Sequence, residues 1–442
     1  MKKIVFTIIF VWMMTAWVEA QEKYWTMEDC MRYAIAYSPK VKKQVYMHHT
    51  YKAEYAQSLA SFLPSISTNV SASYAFGRNV DDDNQYTNTT VFQNYYSVGV
   101  SIPLFTGGQL INSWRLAKVN RQLGMTNIQK EKDDLAIQTM AAYVDVLYYQ
   151  GTVRYATEKL EESSRTLYKT KRQEELGLKG KADIAQIEAL VAQDDYYLTN
   201  QQNQYNTALL TLKNCMNFPA EEALLIDTMV VTNNYMEMSE SVDNIYHFAK
   251  EAHPTALQSA YQLEASKMQY LIEKGKLLPS ISFGAGISTN YYKDLKYEGE
   301  QSSFSNQFKN KRREYVEFSL SFPLFNGLRK VTSVRRAKNN LRIAQEQQTE
   351  ILRQLQTAIE KAVLEREGYA KETIQMEKKR EADDFSYRVT YRKFEEGLMS
   401  PLDLQTSANI LLQSKANLLQ KRLMYLIKCK EVNYYKGEPL ID

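Results

Sequence analysis

The sequence predicts a mixed α and β fold, mostly α, in which long coiled-coil helices follow two β-hairpins. Three observations carry this prediction. The chain of 442 residues contains an internal duplication. Each copy holds two segments in which apolar and polar residues alternate with a period of two, as in β-strands. Each copy then continues into a long segment without proline, whose apolar residues recur with the period of an α-helix.

Residues 1–20 are predicted to be a signal peptide. Two lysines precede an apolar run from Ile4 to Val18, and this run ends in the small-x-small sequence Val18-Glu19-Ala20. An N-terminal membrane anchor is the alternative, but the run is short for a bilayer core about 30 Å thick. We therefore expect an exported protein that is cleaved after Ala20.

The duplication is visible in landmarks that recur in the same order, at intervals of 25, 39 and 74 residues in the first half and 25, 44 and 74 in the second. The landmarks are Pro39, Pro64, Pro103 and Gly177, then Pro254, Pro279, Pro323 and Gly397. Local text recurs as well, as in "FLPSIS" and "LLPSIS". We predict a first repeat (21–217), a connector (218–241), a second repeat (242–436) and a C-terminal tail (437–442).

Each repeat is predicted to contain one two-stranded hairpin, at about residues 64–105 and 279–325. After Pro64, apolar residues from Ile66 to Phe76 alternate with serine and asparagine, which indicates a strand with one apolar and one polar face. The returning strands run into helix at "SIPLFTGG" and "SFPLFNGL". The strand-to-helix junctions are therefore assigned to Pro103, Gly107, Pro323 and Gly327.

A long helical hairpin is predicted after each junction, at about residues 108–217 and 327–435. Apolar residues from Leu341 to Ala362 recur at steps of three and four, the spacing of a coiled-coil seam. Roughly 70 residues of helix extend about 100 Å. Because glycine suits the end of a helix, we expect the helices to reverse at Gly177 and Gly397.

The strands also have the length and alternation of transmembrane β-strands in an exported protein, although a small soluble sheet covered by helix is the alternative. Unpaired backbone groups in lipid cost several kcal/mol each, and four strands are too few to close a barrel. If the strands span a membrane, several chains must share one barrel. Two copies would supply about 8 strands and three about 12, and only the larger number leaves much of a lumen.

The chain resembles the TolC family of outer membrane efflux channels over essentially its whole mature length. The "LPSIS" strand openings, the two junctions and the "G-x5-D" reversals from Gly177 to Asp183 and from Gly397 to Asp403 carry the resemblance. It implies a homotrimer in which four strands per protomer contribute to a shared 12-stranded β-barrel in the outer membrane of a Gram-negative bacterium. A periplasmic α-barrel would continue it. The implied partners are a periplasmic adaptor (membrane fusion) protein and an inner-membrane transporter of RND, ABC or MFS type.

The same resemblance places a periplasmic entrance at the helix reversals. Asp183 and Asp403 would line the constriction, and links between helices would hold it shut. The position at which the family pattern has a gating arginine is Met399, and that of a second pore acid is Thr406, so this chain departs from the pattern there. The alternative role for either aspartate is to cap the helix that follows the reversal.

No enzyme, cofactor or metal site is predicted. The four histidines (His48, His49, His247 and His253) lack zinc-ligand spacing and are expected on the surface, and no Walker, dinucleotide or nucleophile-elbow motif is present. The loop from Asn79 to Asn84 lacks the ordered spacing of a calcium site and is interpreted as a solvated loop. The basic run from Lys309 to Arg313 is interpreted as a surface turn, with contact to lipid phosphates as the alternative.

The charge and the cysteine content bear on possible partners and on disulfide bonds. The net charge of +4 is small, and Lys and Arg are interspersed with Asp and Glu, so no nucleic-acid partner is predicted. Three cysteines (Cys30, Cys215 and Cys429) imply no complete disulfide framework and are expected to be packing residues. The resemblance to the TolC family implies that the protein is the passive exit duct of a tripartite efflux or type I secretion system. An exported coiled-coil scaffold or adhesin without a pore is the alternative, and the cargo stays open.

We predict that the mature protein begins at Gln21, because the apolar run ends in a small-x-small site and charged residues follow. N-terminal sequencing and intact mass of the protein purified from its native host would check this. A mature chain that begins at Met1, or one that carries an acylated cysteine, would contradict it.

Overall fold

A computed structural model describes residues 24–80, 84–228, 241–297 and 299–441. The predicted signal peptide and cleavage site, the centre of the acidic loop and most of the predicted connector lie outside the described residues. The chain divides into two compact units. The first unit comprises residues 1–44, 127–256 and 352–442, and the second comprises residues 45–126 and 257–351.

Six strands and nine helices are present in the described residues. The strands are β1 (Tyr24–Trp25), β2 (Ser65–Val80), β3 (Tyr86–Thr106), β4 (Leu225–Ile226), β5 (Ser280–Asp294) and β6 (Arg313–Ser321). The helices are α1 (Met27–Tyr37), α2 (Pro39–Ala60), α3 (Gln109–Glu175), α4 (Lys181–Met216), α5 (Val242–Ala252), α6 (Pro254–Gly275), α7 (Phe304–Asn310), α8 (Arg329–Glu395) and α9 (Pro401–Tyr435). The predicted class, mostly α with four long strands, is confirmed.

Helices α3 and α8 are the longest elements, with 67 residues each. At about 1.5 Å per residue each extends about 100 Å. The helix that follows each of them is about half as long, with 36 residues in α4 and 35 in α9. Among the described helices, none has both the length and the hydropathy needed to cross a membrane.

The second unit contains an antiparallel sheet in the order β2-β3-β5-β6. Directly paired residues lie on the same face of a sheet, so the register shows what each face carries. One row across the four strands is Ile66, Val100, Ala285 and Val316, and the next row is Ser67, Gly99, Gly286 and Tyr315. The sheet therefore has one apolar face and one face of small and polar residues. On the apolar face Ile66 and Val316 are 75% and 70% exposed.

The edge of β5 is protected where β6 no longer covers it. Beyond Ser288 the strand has no β6 partner, and two side-chain amides take the place of a strand backbone. The Gln307 amide accepts a hydrogen bond from the Tyr292 N–H at 3.1 Å and donates to the Tyr292 carbonyl at 2.8 Å. The Gln301 amide makes the same two contacts with Asp294, at 2.9 and 2.5 Å. These backbone groups are thus paired without another strand.

The first strand-to-helix junction contains a bulge and a close backbone approach. The pairing of β3 with β5 shifts register between Pro103 and Phe105. Gly107 follows with φ +63°, in the left-handed region that favours glycine. A Cβ atom on Gly107 would overlap the carbonyl oxygen of Gly275 at the end of α6 and lie 2.9 Å from the Cβ of Leu278. At the second junction Gly327 has φ +65°, and nothing lies within 4 Å of its Cβ position.

The core of the first unit joins α1 to the middle of α3 and the end of α4. Cys30, Met140 and Leu212 are all fully buried there. The Tyr143 hydroxyl lies 2.8 Å from the carbonyl oxygen of Asp227 and 3.1 Å from that of Trp25, beside the short parallel pair β1–β4. Cys215 and Cys429 are half-buried, and no disulfide joins any of the three cysteines, all of which lie in the described residues.

The expectation that all histidines lie on the surface is wrong for His48 and His253. His48 on α2 is 6% exposed, because Gly124 on α3 lets the two helices approach: a Cβ there would lie 2.9 Å from His48 Nδ1. Burial lowers the pKa of His48. His253 is half-buried against the rings of Tyr434 and Tyr435, and burial lowers its pKa to about 4.

Candidate functional site

The two helix reversals of the first unit have the same geometry. Gly177 and Gly397 have φ +75° and +77°. The Gly177 N–H donates to the Glu174 carbonyl at 2.8 Å, and the Leu178 N–H donates to the Gln173 carbonyl at 2.9 Å. The equivalent bonds at the second reversal are 3.0 Å from Gly397 to Phe394 and 2.8 Å from Leu398 to Lys393. Both α3 and α8 thus end in a Schellman motif, which requires the left-handed residue.

Asp403 caps the helix after the second reversal. Its carboxylate accepts hydrogen bonds from the Ser400 N–H at 3.1 Å and the Ser400 hydroxyl at 2.7 Å, while the Asp403 N–H donates back to the hydroxyl at 3.2 Å. The two bonds from Ser400 lower the pKa of Asp403. A carboxylate with a lowered pKa stabilises the fold above its unfolded pKa, so this cap acts at neutral pH and is lost as the pH falls through the lowered value.

Asp183 occupies the same position after the first reversal, with half of this arrangement. Its carboxylate accepts a hydrogen bond from the Gly180 N–H at 3.1 Å. Gly180 has no side chain to return the bond, so the Asp183 N–H lies 3.1 Å from the Gly180 carbonyl instead. Both aspartates therefore place a carboxylate in the first turn of the helix that follows. A negative charge there also interacts favourably with the helix dipole.

The two positions that depart from the family pattern have local partners. Met399 is half-buried and packs against the apolar cluster between the helices. Thr406 is exposed, and its hydroxyl donates to the Leu402 carbonyl at 2.9 Å within α9. Neither side chain supplies a charge. The charged residues close to the two reversals in sequence are Asp183 and Asp403, together with nearby lysines and glutamates.

Behind the reversals an apolar cluster joins the two repeats. Its buried members are Ile187 on α4, Tyr387 and Phe394 on α8, and Leu404 and Leu411 on α9. Leu167 on α3 packs against them. Because all four helices contribute, the α3–α4 hairpin and the α8–α9 hairpin are packed together at this level.

A buried ion pair and a buried phenol accompany this cluster. The Lys159 ammonium lies 2.8 Å from the Asp194 carboxylate, and these side chains are 14% and 6% exposed. Lys159 also donates to Asn409 on α9. Beside them, burial and the carboxylate of Glu162 raise the pKa of Tyr387, which keeps the phenol protonated. One cation therefore holds α3 to both α4 and α9.

Further links between the repeats are exposed. The Lys169 ammonium lies 2.6 Å from the Glu395 carboxylate and 3.3 Å from the Tyr391 hydroxyl, so it joins α3 to α8. The Gln405 amide donates to Gln193 at 2.6 Å and joins α9 to α4. Sequence reasoning missed all of these residues, because their partners lie more than 200 positions away and their spacing matches no motif.

The described residues contain no group of three or more His, Cys, Asp or Glu side chains arranged to hold a metal ion. The arrangement at the reversals consists of capped helix ends, an apolar cluster and ion pairs between hairpins. Such an arrangement can fix the relative position of two helical hairpins and present carboxylates at their ends.

The model of the outer membrane efflux protein family matches residues 31–217 and 245–432. The matched segments make up most of the chain and fall one in each repeat. The chain therefore belongs to the outer membrane efflux protein family. Channels of this family are trimers that combine a β-barrel with a long helical barrel, and they work with periplasmic adaptors and inner-membrane transporters.

Solved structures show the same fold. CusC, studied for conformational changes that accompany folding and transmembrane channel formation, is 14% identical, with 96% of each chain covered and a TM-score of 0.81. VceC from Vibrio cholerae is 13% identical over 94% of this chain and 96% of its own, with a TM-score of 0.78. The CmeC channel of Campylobacter jejuni is 13% identical over 94% and 87%, with a TM-score of 0.81. No curated protein sequence matches the chain.

We predict that Lys159→Met lowers the free energy of unfolding by about 3 to 5 kcal/mol, because it leaves the Asp194 carboxylate buried without its cation. Thermal unfolding followed by circular dichroism in detergent would measure the loss. Adding Asp194→Leu should restore much of it, since an apolar pair needs no charge partner.

The matched control is Lys171→Met. Lys171 pairs with Glu188 at 2.7 Å between the same two helices, but both side chains are 50% exposed. An exposed pair of this kind contributes at most about 1 kcal/mol. Equal losses in the two single variants would show that burial of the Lys159–Asp194 pair has no special effect.

Proposed function

We propose that three copies of this chain form a channel-tunnel through the outer membrane, which serves as the passive exit duct of a tripartite efflux system or a type I secretion system. The observation that carries the proposal is the sheet of the second unit. It has a mainly apolar face that is exposed on the outer strands, an opposite face of small and polar residues, and outer edges on β2 and β6 that no described strand covers. A barrel wall between lipid and a wet lumen requires all three features.

The partners follow from the same proposal. A duct without a nucleotide or proton-relay motif takes its energy from elsewhere, so an inner-membrane transporter of RND, ABC or MFS type and a periplasmic adaptor would complete the pathway. The helices α3 and α8 support this role, because elements of about 100 Å are long enough to extend far from the membrane.

The helix reversals are proposed as the periplasmic entrance. Three copies would bring six carboxylates, from Asp183 and Asp403, to one opening. A ring of carboxylates attracts cations and repels anions. The Lys169–Glu395 pair and the hydrogen bond from Lys159 to Asn409 would keep the two hairpins of each protomer together and so keep this opening narrow.

Fractionation and conductance test the proposed function directly. The protein should be found in the outer membrane, require detergent for extraction, have the mass of a trimer and conduct ions in planar bilayers. A coiled-coil scaffold would extract without detergent and would not conduct. A deletion strain would be compared with its parent strain. Greater susceptibility to drugs or metals would indicate efflux, and the loss of secreted proteins would indicate secretion.

Arginine substitutions on adjacent residues test whether the apolar face meets lipid. Leu320→Arg should impair trimer assembly, at a cost of roughly 2 to 4 kcal/mol if the residue faces the middle of the bilayer. Ser319→Arg, one residue away on the opposite face, is the control and should assemble better. The measurement is the yield of heat-modifiable trimer in outer membranes. Equal yields from the two variants would mean that the sheet is not in lipid.

Substitutions at the reversals separate charge from capping. Asp183→Asn with Asp403→Asn removes two charges per protomer but keeps an acceptor for the cap, whereas the double alanine variant removes both. Both variants should lower cation selectivity and weaken block by multivalent cations in planar bilayers, and the trimer yield should be unchanged. Only the alanine variant should also lower thermal stability.

If the double asparagine variant kept full cation selectivity, the entrance assignment would be wrong and the two aspartates would serve only as caps. Glu174→Gln with Glu396→Gln is a control for charge elsewhere on the same turns. These glutamates lie close to the reversals in the sequence, and in the described residues their side chains make no capping hydrogen bond, since only the backbone carbonyl of Glu174 accepts one.

A further inference from the structure

The two β-hairpins of the second unit are equivalent residue by residue. In the first hairpin Ser65 pairs with Ser101, and in the second Ser280 pairs with Ser321. Positions in β5 lie 215 residues after their counterparts in β2, and positions in β6 lie 220 residues after those in β3. All nine pairs of the second hairpin obey these two offsets. The pairing that one hairpin makes with its neighbouring strand therefore indicates the pairing expected of the other hairpin.

The returning strands nevertheless end at different points. β3 continues five residues past Ser101, to Thr106, and these residues pair only with β5. β6 ends at Ser321, and its counterpart residues Phe322–Asn326 are not strand. The local sequences are alike, "IPLFT" and "FPLFN". The difference is the neighbour: β3 has β5 beside it, whereas the outer edge of β6 has no described strand.

The glycines that follow differ in the same way. Gly107 lies against Gly275 and Leu278, which end α6 and precede β5. Its counterpart Gly327 has nothing within 4 Å of the Cβ position, although its φ is nearly the same. The counterparts of Gly275 and Leu278 are Ala60 and Leu63, which precede β2 at the other edge of the sheet. Leu63 is 64% exposed there.

We infer that β6 of one chain pairs with β2 of a second copy in the register that β3 and β5 have within the chain. The inference rests on the proposed function, which requires a second copy, and adds which residues meet. Phe318 lies opposite Ala72 of the second copy, and Val316 lies opposite its Tyr74. Residues 322–326 become strand against residues 65–68 of that copy, and Gly327 lies against its Ala60 and Leu63.

The faces of the sheet agree with this register. It joins Leu320 to Val70 on the apolar face, and it joins Ser319 to Ser71 on the face of small and polar residues. A slip of one residue would turn every apolar side chain of β6 to the polar side. A slip of two would keep the faces but would move Gly327 away from Ala60. The register also covers exposed apolar side chains at the junction, since Leu324 and Phe325 are 87% and 82% exposed in the single chain.

Disulfide trapping tests the register in the full-length protein with Cys30, Cys215 and Cys429 replaced by alanine. The variant Ser73→Cys with Glu317→Cys should form cross-links between chains, seen as a dimer and trimer ladder on non-reducing gels. Within one chain these residues lie on opposite edge strands, three spacings of about 4.8 Å apart, which is beyond the reach of a disulfide.

The chain offers matched controls. Ser97 pairs with Ser288 between β3 and β5 and is the intrachain equivalent of the tested pair, so Ser97→Cys with Ser288→Cys reports whether this geometry permits a disulfide. Off-register variants combine Glu317→Cys with Ser71→Cys or with Ala75→Cys, and their cross-linked fraction should be several-fold lower. Amide exchange supplies an independent readout, because Phe322 and Leu324 should gain protection in the trimer.

Each outcome decides one point. Cross-linking that favours an off-register variant would overturn the register. A trimer by mass without cross-links in any interchain variant, while Ser97→Cys with Ser288→Cys does cross-link, would overturn the pairing of β6 with β2 and leave the channel proposal standing. A cysteine-free parent that is monomeric in detergent extracts of the outer membrane would overturn the proposed function and this inference together.

Discussion

The unpaired backbone groups on the outer edges of β2 and β6 are the constraint on which the rest of the structure depends. Four strands form an open sheet whose two edges have hydrogen-bonding groups but no described partner. In lipid these groups need partners, because water is not available to them. The chain covers the free stretch of β5 with the amides of Gln301 and Gln307, whereas no equivalent contact along the outer edges of β2 and β6 is present in the described residues. In the proposed trimer, other copies of the chain would supply these partners.

Internal duplication allows one kind of strand pairing to be used both within a chain and between chains. A single hairpin-plus-helices unit recurs, and the pairing between repeats inside the chain can serve again between chains. Where the two repeats differ, the difference follows from their surroundings. Gly107 is enclosed and Gly327 is open because only the first has a neighbouring strand and helix end within the chain. Ser400 completes a cap that Gly180 cannot, because only serine has a hydroxyl to return the bond.

The sequence was sufficient for features that depend on local periodicity or backbone conformation. Alternation after Pro64 predicted the two faces of the sheet, and the recurrence of "SIPLF" and "SFPLF" marked the places where strand gives way to helix. The glycine after each long helix corresponds to a left-handed residue, a conformation that glycine adopts readily. The fold class needed only these signals, since they occur twice in the same order.

The same reasoning could not predict contacts between helices that are distant in the sequence. Lys159 and Asp194 are two charges among many on these helices, and only the packing of α3 against α4 buries them together. His48 was assigned to the surface because histidine is polar, yet a glycine on the facing helix makes room for it. The role of Asp403 was open between pore and cap. The structure supplies the cap but leaves the carboxylate exposed, so the two roles are compatible.

The two units therefore depend on different kinds of interaction. The strands depend on backbone hydrogen bonds, which do not vary with sequence and allow an identical chain to serve as the neighbour. The reversals depend on side-chain pairs within and between the hairpins, and such pairs select one arrangement of the helices over others. A buried ion pair such as Lys159–Asp194 adds little net stability compared with an apolar pair of the same size. Its value lies in the cost of separating the charges, which penalises any displacement of α3 from α4. Helices joined in this way resist small displacements and yield only when the pair separates.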